Sequence, residues 1–396
     1  MKLVIRKNSL IIRQFIKRYL HSGAKQYFIL LLLMLFTCSC ITQFIPVTDE
    51  AKELLVVQGL ITNQNETDTI KLSTSLPLGE KSVARPVSGC LVSLSDNLGS
   101  NIILEEKKPG TYITPPFFTG VVGRSYTLHV TANSAFNNFN YESDPMEMIP
   151  VPPIDSIYYE KTVIEKADGF FKGVDGCQIY LDTQDPTKNC RFFRWDFTET
   201  WMLKLLFPVY NQICWISDKS HSINIKSTAA FDEDRVTRYP INYITNVTDR
   251  LKRNYSILVN QYSLNEDEYI YWEKIQNIAV QVGGLYDVIP ASVQSNMRCI
   301  EDPGEKVLGY FSVSAKSSKR IFIKDNFEGI IDRYSNCITD TISYYTDPPG
   351  LGVSVWILAD FQYYIPPYKV LTDKKGCADC TVRGSNVRPA FWKDDK

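Results

Sequence analysis

Histidine is scarce: the 396 residues hold three, His21, His129 and His221. A histidine-based triad therefore has no local support. The chain also lacks a G-x-S-x-G elbow, an H-E-x-x-H pair, a P-loop and a dinucleotide fingerprint, so the common hydrolase, zinc-protease, nucleotide and redox-cofactor chemistries go unsignalled. The acidic stretch FDEDR (231–235) lacks the spacing of a calcium loop. No cofactor or metal is expected. No apolar run reaches the ~20 residues that a membrane-spanning helix needs; the longest, Tyr27–Phe36, extends to only 15 residues when counted to Ile41. Basic clusters are missing after residue 40. Residues 1–39 carry seven of the 43 Lys and Arg and no acid, leaving 36 basic against 44 acidic residues in the remainder. Phosphate contact needs a basic face, so nucleic acid is not an expected partner.

What the chain does have is strand-forming sequence. Aromatics make up 12% of the chain, with 23 Tyr, and this tilts the expectation toward β-structure. LLVVQGLI (54–61) and TIKLSTS (69–75) read as strands. In PVSGCLVSLS, Cys90, Val92 and Leu94 alternate with Val87, Gly89, Leu91 and Ser93, and Tyr126, Leu128 and Val130 share one face further on. About seven short strands at ~8–12-residue spacing predict a β-sandwich over 54–148. With Gly59, Gly99, Gly110, Tyr112 and Gly123 at its turns and core positions, this segment resembles a transthyretin/Ig-like sandwich. Proline-rich MIPVPPIDS predicts a linker at 149–156. A larger β-rich domain with at least one α-helix should fill 157–396. Within it, CQIYLD and CRFFRWDFTETW read as a hairpin about TQDPTKN. Ser263 and Glu266 have the spacing of a capping box. The helix they open would show Tyr269, Trp272, Ile275 and Ala279 on one face and end near Gly283–Gly284.

The amino terminus has the three parts of an export signal: a basic region, a short apolar core and a small-residue end. Its ending, LFTCSC, resembles a lipoprotein lipobox. On that resemblance residues 1–39 are removed, Cys40 becomes the lipid-attachment residue, and 40–53 form a tether. Acyl chains at about 0.8 kcal/mol per buried CH₂ would hold the protein to a membrane.

Export makes disulfides permissible. Cys177 and Cys190 flank the proposed hairpin and could pair across it. The CADC motif (377–380) could be a structural disulfide, internal or to Cys214 or Cys337; zinc and redox readings are weaker, because two distant ligands or a following helix would be needed. Cys90 reads as a buried thiol. In RFFRWDFTETW, strand alternation puts Arg191, Phe193, Trp195, Phe197, Glu199 and Trp201 on one face and Arg194, Asp196, Thr198 and Thr200 on the other. A carboxylate among aromatics must be paired or carry a raised pKa. Glu199 is thus either a general acid or ligand-orienting group, or half of a structural ion pair with an arginine such as Arg320.

DPTKNCRFFRWDFTETW, YSILVNQYSLNEDEYIYWEKIQ, GGLYDVIPASVQSNM, VLGYFSVSAKSSKRIFI and CADCTVRGSNVRPAFW together resemble the Bacteroidota lipoprotein family known as domain of unknown function 4249, over Cys40–Trp392. The resemblance implies an outer-membrane lipoprotein whose genes often neighbour a TonB-dependent receptor. Three functions stay open: a non-catalytic accessory of such a receptor in ligand capture or uptake, a surface hydrolase of glycans or peptides using an acid such as Glu199, and a structural or adhesive module.

Overall fold

The computed structural model describes residues 53–75, 85–164, 174–281, 293–330, 337–346 and 356–393. The expected signal (1–39), Cys40 and all but the last residue of the expected tether lie outside these residues, as do Gly283–Gly284 at the expected helix end. The fold is mainly β, as expected. Among the described residues no helix is long and apolar enough to cross a membrane.

Two sheets enclose the first core. In one, Leu55–Thr62 pairs antiparallel with Thr69–Thr74, which leads on to Thr111–Ile113 and Glu105–Lys108. The facing sheet is built around Leu91–Asp96 and Ser125–Thr131. The alternation foreseen in the sequence is what buries Val92, Leu94, Tyr126, Leu128 and Val130 against Leu55, Val57, Ile70, Leu72 and Tyr112. The segment 54–148 does not close this core alone. Leu308–Ser314 lies parallel to Leu55–Thr62, and Met297–Cys299 adds to the second sheet beside Asn140–Ser143. Val307, Phe311 and Val313 sit in the same core. A parallel neighbour needs a long crossover, and here that crossover contains all of the second sandwich except its edge strand Lys316–Ile323, which follows directly. Gly309 makes the close approach possible: its φ is +84°, and a Cβ there would stand 2.0 Å from the Val57 carbonyl oxygen.

The 149–156 segment buries Pro152 and Ile154 and is tied to the second sandwich through its backbone. The carbonyls of Ile149 and Pro152 accept hydrogen bonds from Ser263 and Gln261. It leads into the second sandwich. Its three-stranded antiparallel sheet, Ile154–Ile164, Val174–Gln184 and Arg235–Ile244, faces a sheet centred on Phe192–Lys204 and Tyr255–Leu264. Phe193, Trp195, Phe197 and Tyr255 fill the core between them. Val174–Gln184 and Phe192–Lys204 are therefore not a hairpin. They belong to opposite sheets, and the chain crosses between them through a turn held by Asp185, whose carboxylate accepts the N–H groups of Thr187, Asn189 and Cys190. This corrects the expected Cys177–Cys190 pair. Cys190 ends the turn, Cys177 lies eight residues before Asp185 at the turn's other end, and both are buried free thiols. Cys90 and Cys299 are also free.

A third, small core lies around Asp340–Ser343, Tyr368–Thr372 and Trp356–Phe361. Two disulfides tie it down: Cys214–Cys380 and Cys337–Cys377. The two CADC cysteines thus take separate partners. Oxidised in this way, they can neither ligate zinc nor form a dithiol redox pair with each other.

The helix runs Glu266–Gln281, but Ser263 does not cap it. Ser263 is still in the strand Tyr255–Leu264, and its hydroxyl is spent on the Ile149 carbonyl. The cap is Asn265, whose side-chain oxygen accepts the Glu268 N–H at 2.8 Å.

One buried acid gives the first sandwich a pH signature. Asp68 accepts the Thr62 N–H at 2.9 Å and the Thr62 hydroxyl at 3.0 Å. Burial outweighs these bonds and pushes its carboxyl up to about 6. The native state then holds this proton more tightly than the unfolded chain. The contribution of Asp68 to stability should grow as pH falls from 7 through 6 toward 4, and be lost above 6. Buried Glu268, also pushed up by burial, acts in the same direction. Carboxyls held low by hydrogen bonds, Asp379 by Thr381 and Glu160 by Arg238, lose their contribution only below about pH 4. Thermal melts should therefore show stability rising between pH 7 and 5. In Asp68→Asn that rise should shrink and the melting temperature at pH 7.5 should increase; an unchanged pH slope in this variant would exclude Asp68 as its source.

Candidate functional site

Glu199 is where the sequence drew attention. Strand alternation buries it with Phe193, Trp195, Phe197 and Trp201, as expected, and leaves it 4% exposed. Its oxygens accept the Arg250 guanidinium at 2.7 Å, the Tyr255 hydroxyl at 2.7 Å and the Asn242 amide at 3.3 Å. Burial, and then the neighbouring Glu199 charge, push the Tyr255 phenol well above its ordinary range. The partner is Arg250 and not Arg320. Register explains the difference: Arg320 lies across from Leu258, which lies across from Thr198, so Arg320 projects on the face opposite Glu199. It bonds Ser256 and covers the Phe391 ring at 3.5 Å. Arg250 comes from the turn before Tyr255–Leu264, a position that strand patterning could not supply.

Beside Glu199 is a cleft of ≈ 280 Å³ that also contains Trp201, Asp218, Asp249 and Arg383. Asp249 is held by both terminal nitrogens of Arg383, at 2.7 and 3.2 Å. The two buried carboxylates of the cleft are thus each committed to an arginine. A general acid must present its proton to a substrate, and Glu199 has its lone pairs engaged by three donors. The arrangement is that of a structural ion-pair network, and the hydrolase built on Glu199 loses its acid.

The opposite face of the same strand forms a different place. A groove of ≈ 480 Å³ is lined by Arg194 and Asp196 of Phe192–Lys204, Lys71 of Thr69–Thr74, Tyr271 and Trp272 of the helix, and Tyr310 of Leu308–Ser314. The guanidinium of Arg194 lies 4.7 Å from the Tyr262 ring and 4.8 Å from the Trp272 ring. Its Nε is buried without a hydrogen-bond partner. Among the described residues no carboxylate comes within 4.0 Å of Arg194 or Lys71. Asp196 accepts the Asn260 amide at 2.7 Å. Glu268 is fully buried, takes the Trp272 indole N–H at 3.2 Å, and leaves its second oxygen without a partner. Tyr271 packs on Tyr310 with centroids 4.6 Å apart. This combination of concave shape, aromatic walls and unpaired cations is that of a small-molecule site.

Sequence reasoning placed Arg194 and Asp196 together on one strand face but did not see the groove. Tyr269, Trp272 and Ile275 were foreseen as one helix face; Trp272 and Ile275 line the groove, while Tyr269 packs on Phe192 at 5.2 Å. Lys71, Tyr271 and Tyr310 were missed. No local signal ties them to Arg194, because they arrive from two other strands and the neighbouring helix face. Among the described residues no group of three or more His, Cys, Asp or Glu could hold a metal ion.

No curated protein matches the chain. Residues 41–320, which include the whole groove and the Glu199–Arg250 pair but stop short of the CADC segment, match the family described as Domain of unknown function (DUF4249). The chain belongs to that family.

Proposed function

We propose that this protein is a non-catalytic, lipid-anchored protein of the outer membrane that captures a small solute in the Arg194 groove and serves a TonB-dependent receptor. The observation that carries the capture half is the groove itself: a cation held between aromatic rings with, among the described residues, no carboxylate within 4.0 Å. A guanidinium kept in a half-buried site without an ion pair is costly unless something binds it. Anchoring at Cys40 and the receptor partner rest on the lipobox and on the family resemblance. Crosslinking and affinity purification from intact outer membranes test the partner. A TonB-dependent receptor should co-purify; recovery of the protein as a free monomer under mild extraction would count against it.

An adhesive role is favoured by a separate observation. Tyr210, Tyr345, Tyr363 and Ile365, in and beside the disulfide-tied carboxy-terminal unit, are each at least 83% exposed. Large apolar side chains displayed this openly suit contact with another surface. Lost attachment with intact nutrient uptake after gene deletion would support this reading over solute capture.

A further inference from the structure

The chemistry of the groove narrows its ligand. Two cations, Lys71 and Arg194, stand against one lining carboxylate, Asp196, which is already bonded by Asn260. Glu268 is fully buried and outside the lining; burial pushes its carboxyl up, and the Arg194 charge opposes that shift. The lining itself carries two cations and one carboxylate. That excess fits a singly charged anion; a phosphate dianion would meet repulsion from Asp196. A guanidinium fixed between two rings presents a planar fork, the geometry that a carboxylate matches. The other walls set the paired rings of Tyr271 and Tyr310, with Leu60 and Ile275, beside the polar Gln58, Thr69 and Ser312. At ≈ 480 Å³ the groove is large enough for a ring-bearing molecule.

We infer that the groove binds a small monocarboxylate with an aromatic or apolar body, its carboxylate on Arg194 with Lys71 nearby and its body against Tyr271, Tyr310 and Ile275. The inference rests on the solute-capture reading and names the ligand class for it.

Calorimetric titration of the detergent-solubilised full chain tests this with three probes: 3-phenylpropionate, 3-phenylpropanamide and acetate. The first has both charge and body, the second lacks the charge, and the third lacks the body. Phenylpropionate should bind tighter than either of the others by about tenfold or more, the size of one charge-assisted hydrogen bond. Arg194→Met should remove the preference for the acid over the amide. Lys71→Gln changes an exposed side chain and leaves the rings in place; it should weaken phenylpropionate severalfold and reduce the salt dependence of binding. Melting curves establish that both variants are folded. Equal binding of acid and amide, or wild-type binding in both variants, overturns the carboxylate assignment and leaves solute capture standing. Failure of phenylpropionate to bind overturns the ligand class, while receptor co-purification tests the partner separately.

Discussion

Replacing Cys214 and Cys380 together by serine should destabilise the chain by about 5 kcal/mol, the loop-entropy value for a crosslink closing so long a loop. The two residues are 166 apart in sequence, against 40 for Cys337 and Cys377, where about 4 kcal/mol is expected. The loss should also be localised. Cys380 holds the terminal segment against Ile213–Lys219, where Trp215 and Ser385 exchange backbone hydrogen bonds and Asn211 pairs with Asp379. Hydrogen exchange in residues 377–392 should accelerate well before the sandwiches open. Denaturant midpoints under oxidising conditions measure the global cost. Non-reducing peptide mapping should recover Cys214 with Cys380 and Cys337 with Cys377, with Cys177 and Cys190 alkylated only after unfolding. A recovered Cys177–Cys190 peptide would contradict the free, buried state of these two thiols.

The second large effect concerns the buried ion pair. Arg250→Met should cost about 3–5 kcal/mol, because it leaves the Glu199 carboxylate in the core without its cation. Glu199→Gln should cost less. The Arg250 side chain is 21% exposed against 6% for Glu199, so the released arginine can turn toward water while the stranded carboxylate cannot. The double variant Glu199→Gln/Arg250→Met should be more stable than Arg250→Met alone. Urea midpoints of the four proteins give the coupling directly. Additive losses would mean that the two groups do not act as a pair.

The legible part of this molecule was whatever repeats locally. Period-two alternation located the strands, and it put Glu199 on the buried face and Arg194 on the other before any contact was known. What alternation cannot supply is the partner across the sheet or across the core. Arg250 comes from an irregular turn, so Glu199 looked available for chemistry when it was not. The hairpin reading failed because a short polar turn between two strands looks the same whether the second strand returns beside the first or crosses to the facing sheet; only the strand pairings distinguish the two. The cap failed by two residues because Ser263 and Asn265 are both good cap types, and the strand before them runs through Leu264. The groove was illegible for a related reason: its walls are brought together from positions as far apart as Lys71 and Tyr310.

The parallel pairing of Leu55–Thr62 with Leu308–Ser314 bears on the order in which the molecule can be made. Seven positions of the earlier strand, Val56 through Thr62, wait for partners that are synthesised some 250 residues later. Until then the nascent sandwich carries an open strand edge, a template for pairing with other chains. Such distant contacts slow folding. An isolated 54–148 fragment should therefore aggregate, and a chaperone that shields this edge until Leu308–Ser314 is made would protect the stage at which the edge is open.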